Sequence, residues 1–139
     1  MSWRFLLDTN VLSEPARSRP HAGIMERLKR HELEIVTAAP VLHEITFGCA
    51  LLPASRKRAE LERYLGEVVE ATLPILPYDA ACARWHGRER ARLVRLGKTP
   101  PFVDGQIAAI ARVHDLEVVT RNLEDYRLFE GVRAVDWRS

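Results

Sequence analysis

Four acids, Asp8, Glu44, Asp104 and Asp125, stand where an exposed helix face is not their obvious explanation. Asp8 ends the apolar stretch Phe5-Leu6-Leu7. Glu44 lies beside Leu42 and Ile45 in a helical pattern, and Asp104 is flanked by Val103 and Ile107 in another. Asp125 closes a polar turn after the apolar pair Val118-Val119. Carboxylates gathered near apolar surroundings repel one another and resist ionising unless a cation joins them. Mg²⁺ and Mn²⁺ favour oxygen ligands. Such an ion can activate a water and balance charge on a phosphate. If the four acids meet, the chemistry is metal-assisted attack on a phosphate ester. Each alone has a plainer explanation: Asp8 or Asp125 as a turn residue, Glu44 facing solvent, and Asp104 favoured by the dipole of its own helix.

Competing motifs break on inspection. Leu96-Gly97-Lys98-Thr99 ends like a phosphate-binding P-loop, but Arg92 stands where that loop needs glycine and Pro100-Pro101 where it needs a helix. His43-Glu44-Ile45-Thr46-Phe47 starts like a zinc-protease helix and ends on Phe47 instead of histidine. His86 and His114 are expected at the surface or partly packed. The thiols Cys49 and Cys82 lie far apart in apolar patterns and are expected buried and free.

These acids need elements to position them. Trp3–Leu7, Leu33–Thr37, Leu73–Leu76, Glu117–Thr120 and Arg133–Val135 are predicted strands. The predicted helices are a short turn capped by Asn10 and ending near Pro15, then Ala22–Arg30, Pro40–Leu51, a stretch from the Ser55 cap to about Glu70, a basic helix from the Asp79 cap to about Leu96, Phe102–His114, and a last turn near Asp125. Gly97 is expected to close the basic helix in left-handed backbone. Strands alternating with helices predict an α/β fold around a mostly parallel sheet. In such sheets the site lies beyond the carboxyl ends of the strands. Asp8 and Thr120-Arg121-Asn122 occupy such ends.

The 139 residues suit one domain, and 47% apolar residues suffice for one core. No apolar run approaches the roughly 20 residues of a membrane span, so a cytoplasmic protein is expected. The net charge of +2 says little, but Arg84, Arg88, Arg90, Arg92, Arg95 and Lys98 cluster with Glu89 the one acid among them. That face is either solvated or attracts phosphate backbones.

Four segments then resemble, in order, the landmarks of PIN-domain ribonucleases, most closely the VapC and FitB toxins of bacterial toxin–antitoxin pairs. They are Leu6-Leu7-Asp8-Thr9-Asn10-Val11-Leu12-Ser13-Glu14-Pro15, Val41-Leu42-His43-Glu44-Ile45-Thr46-Phe47-Gly48, Pro101-Phe102-Val103-Asp104-Gly105-Gln106-Ile107-Ala108-Ala109 and Val118-Val119-Thr120-Arg121-Asn122-Leu123-Glu124-Asp125-Tyr126. The resemblance implies one PIN domain over 1–139, an α/β/α sandwich with a mostly parallel sheet of four to five strands. It implies Mg²⁺ or Mn²⁺ held by Asp8, Glu44 and Asp104, with Asp125 or Asn122 at the fourth position. Thr9, Asn10, Thr120, Arg121 and Asn122 would orient ligands or meet RNA. The implied function is metal-dependent RNA cleavage by a toxin. An antitoxin's C-terminal segment would cover the site, and a homodimer is expected. Leu51, Leu52, Leu61 and Leu65 are either contact residues or core. A non-catalytic binding module and a DNA nuclease stay open as alternatives.

Overall fold

The computed structural model describes residues 2–139. Five strands form one sheet in the order β3-β2-β1-β4-β5, every neighbouring pair parallel. They are β1 Phe5–Leu7, β2 Ile35–Ala38, β3 Ile75–Leu76, β4 Glu117–Val119 and β5 Arg133–Val135. Leu6 of β1 stands opposite Val36 on one side and Val118 on the other. Successive strand residues point to opposite faces. Phe5, Leu6 and Leu7 are nonetheless all buried, as are Ile35 through Ala38. Both faces of the sheet are therefore covered by helices, the rule for parallel strands.

The chain runs from β1 outward to β3 on one side, then returns across the sheet to place β4 on β1's other edge. The connections are helical because parallel neighbours cannot be joined by a tight turn. Between β1 and β2 lie α1 (Thr9–Leu12), a 3₁₀ turn (Glu14–Ala16) and α2 (Ala22–Arg30). Between β2 and β3 lie α3 (Ala39–Ala50), α4 (Arg56–Tyr64), a π-helical segment (Leu65–Val69) and α5 (Glu70–Thr72). The return uses α6 (Ala80–Arg95) and α7 (Phe102–Val113), and α8 (Glu124–Arg127) precedes β5. The Ser55 and Asp79 caps form as expected, accepting from the backbone N–H groups of Arg58 and Cys82. Gly97 has φ of +76°, the left-handed value its position requires.

Several boundaries differ from expectation. β1 starts at Phe5, and Trp3 lies exposed. β2 starts at Ile35, with Leu33 outside it and exposed. The helix expected from Ser55 to Glu70 opens into a π turn at Leu65–Val69, which turns Leu65 and Val69 inward. The cap of α1 is Asp8, not Asn10: the Asp8 carboxylate accepts from Thr9 N–H at 2.8 Å. Of the four leucines offered as contact or core, Leu65 is buried, Leu52 and Leu61 are half-buried and Leu51 is exposed. Both thiols are free and buried. The C-terminal segment is pinned by Trp137, whose ring stacks on His31 and meets Phe5 edge-on.

Candidate active site

The sheet's topological switch lies between β1 and β4, and Asp8 follows β1 there. Its backbone N–H donates to Val119 C=O at 3.0 Å, stitching it to the end of β4. Beneath it, buried Thr37 Oγ1 donates to Leu7 C=O at 3.0 Å. The Asp8 carboxylate is itself buried. Its Oδ1 accepts from Thr9 N–H, and its Oδ2 accepts from the Thr120 and Tyr126 hydroxyls at 2.9 and 3.1 Å. A carboxylate offers about four lone-pair directions. Three are taken, so one, on Oδ1, remains for an outside partner.

Glu44 is reached through Thr9, whose Oγ1 donates to Glu44 Oε1 at 3.2 Å. Asp104 sits in the first turn of α7. Burial pushes its carboxyl up to about 6, and the charges of Asp125, Asp8 and Glu44 push the same way. Burial also raises Asp8 above the ordinary carboxylate range, against the lowering effect of its three donors, with Asp125 adding to the rise. The Tyr126 hydroxyl is raised by burial and by the charges of Asp8, Asp104 and Asp125. The four acids thus share one electrostatic field although they come from four separate segments. Among the described residues, no group of three or more His, Cys, Asp or Glu side chains is drawn together as a ready-made metal cage. An all-oxygen donor set suits a hard divalent cation.

The neighbours expected to support the acids fall into place unevenly. Asn10 Oδ1 accepts from Arg121 N–H at 3.0 Å, so it ties the β4–α8 loop to α1 instead of capping a helix. Asn122 N–H donates to Thr120 Oγ1 at 3.0 Å, which fixes the hydroxyl that holds Asp8. Asp125 is exposed and acts on the others through its charge. Two residues the sequence did not single out are buried here. Tyr126 completes the shell of Asp8; its signal was an aromatic hydroxyl directly after Asp125. Glu14 is fully buried, 3.5 Å from Arg121 Nη1. Its only signal was an acid so close to the buried pair Val11-Leu12.

The model for the PIN domain matches residues 5–129. The chain belongs to the PIN-domain family. This PIN domain is 30% identical to the tRNA(fMet)-specific endonuclease VapC of Shigella flexneri over 136 residues, 96% of this chain and 98% of that one. It is 35% identical to toxin FitB of Neisseria gonorrhoeae over 120 residues, 84% of this chain and 86% of that one. The DNA-bound VapBC structure from Salmonella typhimurium superposes with a TM-score of 0.85 at 28% identity, covering 97% of this chain and 98% of that one.

The basic helix is less uniform than its sequence. Arg92 is committed to Glu89, 2.6 and 2.9 Å away, and to Leu128 C=O. Glu89 is buried, and Arg90 lies over the Phe102 ring. Arg84, Arg88, Arg95 and Lys98 remain outward. His86, expected at the surface or partly packed, is fully packed between Tyr78 and Phe102, its ring against Gly105. No helix among the described residues is long and apolar enough to cross a membrane.

Proposed function

We propose that this PIN domain, acting as one unit over 1–139, is a metal-dependent ribonuclease, the toxin of a toxin–antitoxin pair. One observation carries the reading. Asp8 and Asp104, nearly a hundred residues apart in the chain, lie in one field with Glu44 and Asp125, and burial together with that field pushes the Asp104 carboxyl up to about 6. The names of its relatives, an endonuclease VapC and a toxin FitB, support the same reading.

Asp8, Asp104, Glu44 and Asp125 would hold Mg²⁺ or Mn²⁺. Bound there, the ion supplies water activation and charge balance for a phosphodiester. The chain's own part is positional. Thr120, Tyr126 and Thr9 N–H fix the Asp8 carboxylate, and Thr9 Oγ1 steers Glu44. Arg84, Arg88, Arg95 and Lys98 offer the RNA backbone a positive face without sequence information. Specificity then comes from the shape of single-stranded or looped RNA.

A small antitoxin would neutralise the toxin by laying its C-terminal segment over this acidic site, where a basic side chain meets four carboxylates. The toxin itself would be a homodimer. The decisive experiment is cleavage of RNA, single-stranded DNA and a phosphomonoester side by side with Mg²⁺ or Mn²⁺. RNA is cut, and Asp8→Asn or Asp104→Asn abolishes the cut. Equal cleavage by the variants would trace the activity to a contaminant.

A further inference from the structure

We propose that buried Glu14 and half-buried Arg121 form a positioning pair that holds the loop after β4, and through it Thr120, against Asp8. The inference rests on the ribonuclease reading above and assigns Arg121 a different task from gripping RNA.

Glu14 lies in the 3₁₀ turn after α1 and is fully buried. Its Oε2 accepts from His21 N–H at 2.9 Å. Its Oε1 has no hydrogen-bond partner, but Arg121 Nη1 and Arg17 Nη1 lie 3.5 and 3.6 Å away. Arg121 mirrors this, because its Nε is buried with no acceptor. The unsatisfied Glu14 Oε1 thus faces the guanidinium of Arg121, whose own buried Nε also lacks an acceptor. Burying two charges costs desolvation that attraction repays only with good geometry, so such a pair is poor evidence of a stability role.

What the pair controls is location. Arg121 is held at three points. Its N–H donates to Asn10 Oδ1, its C=O accepts from Arg138 Nη2 at 3.1 Å, and its side chain faces Glu14. Arg138 is in turn held by Asp136. Thr120, which donates to Asp8 Oδ2, lies on one side of Arg121, and Asn122, whose N–H steadies that same hydroxyl, lies on the other. Displacing Arg121 therefore moves both Thr120 and the Asn122 N–H that steadies its hydroxyl. With its charge turned inward to Glu14, Arg121 is not a free hook for a phosphate.

The test uses E14Q, R121Q and the double variant, with folding checked by thermal melts. E14Q keeps the acceptor for His21 N–H and removes the charge. Each single variant should lower kcat on RNA about tenfold at nearly unchanged KM, the scale on which a supporting residue acts. Affinity for Mn²⁺ alone, read by electron paramagnetic resonance, should fall in parallel. The double variant should fall no further than the worse single, because the two residues act as a unit. If E14Q does not fold, the double variant, which leaves no uncompensated buried charge, carries the test. An unchanged kcat and Mn²⁺ affinity would overturn the pair. So would a raised KM in R121Q with kcat intact, since Arg121 would then be gripping RNA. Mn²⁺ affinity is readable whether or not the wild type cleaves, so a wild type that leaves RNA whole sinks the ribonuclease reading and not this one.

Discussion

Thr120 Oγ1 donates to Asp8 Oδ2 at 2.9 Å and so joins the ends of β4 and β1 across 112 residues of sequence. Thr120→Val keeps the shape, removes the donor and strands Asn122 N–H. Cleavage should fall about 10–100-fold, as for loss of a group that orients a ligand, with about 1–2 kcal/mol of stability lost. Thr120→Ser should retain most activity. Steady-state kinetics and urea melts on the three proteins decide it.

Tyr126 is the second hydroxyl on the same oxygen. A donor to a carboxylate favours its charged form, so removing it raises the carboxyl further. Tyr126→Phe should therefore move the rising limb of the pH–rate profile to higher pH, with the plateau little changed. A profile that stays in place would mean Asp8 does not set that limb.

Asp104 makes the apo site costly. Its carboxyl ordinarily titrates at 3.8 and is pushed up to about 6 in the fold. Between those values the native state binds more protons than the unfolded one, so this residue's contribution to stability falls as pH rises. Above about 6 the penalty is complete. Without metal, Asp104→Asn should melt higher than wild type at pH 7.5 by roughly 3–5 °C. The gap should close near pH 4. Taking the difference between the two proteins cancels Glu89 and Asp136, whose lowered carboxyls act with the opposite sign. Added Mg²⁺ should stabilise the wild type and not the variant. A gap independent of pH would refute the shift.

Gly105 follows Asp104, and a Cβ on it would lie 2.1 Å from His86 Nε2. The ring has little room to swing, since Nδ1 bonds the Tyr78 hydroxyl at 2.8 Å and Phe102 packs on it. Gly105→Ala gains about 1 kcal/mol of helix propensity. Overpacking at about 2 kcal/mol or more outweighs that gain. The variant should lose stability in a denaturant melt, and His86→Ala in the same chain should restore part of it. Undiminished stability in Gly105→Ala alone would show that the α6–α7 contact yields freely.

Local signals carried the sequence reading where local physics decides. Asp79 and Ser55 cap the helices they precede, and Ala22–Arg30 and Arg133–Val135 form with the expected bounds. Asp8, Glu44 and Asp104 stood out because each interrupts an apolar pattern, and Asp125 because it closes a polar turn after one. What stayed hidden depends on partners remote in sequence. Asn10 has the right chemistry for a cap, but Asp8 stands at the cap position and Arg121 N–H claims the Asn10 side chain. Glu14 and Glu89 look like surface acids until Arg121 and the backbone N–H of Glu130 are brought beside them. His86 is buried only because Gly105, on the next helix, leaves room for it.

The strand order also sets a schedule. β1, at the centre of the sheet, leaves the ribosome well before its neighbour β4, with β2 and β3 made in between. Synthesis proceeds at about 5–20 residues per second, and a contact cannot form before both its halves exist. Until Thr120, Asp125 and Tyr126 have emerged, Asp8 has neither its hydroxyl donors nor its distant acidic neighbour. A chain that stops before Thr120 therefore never completes the hydrogen-bonded shell of Asp8.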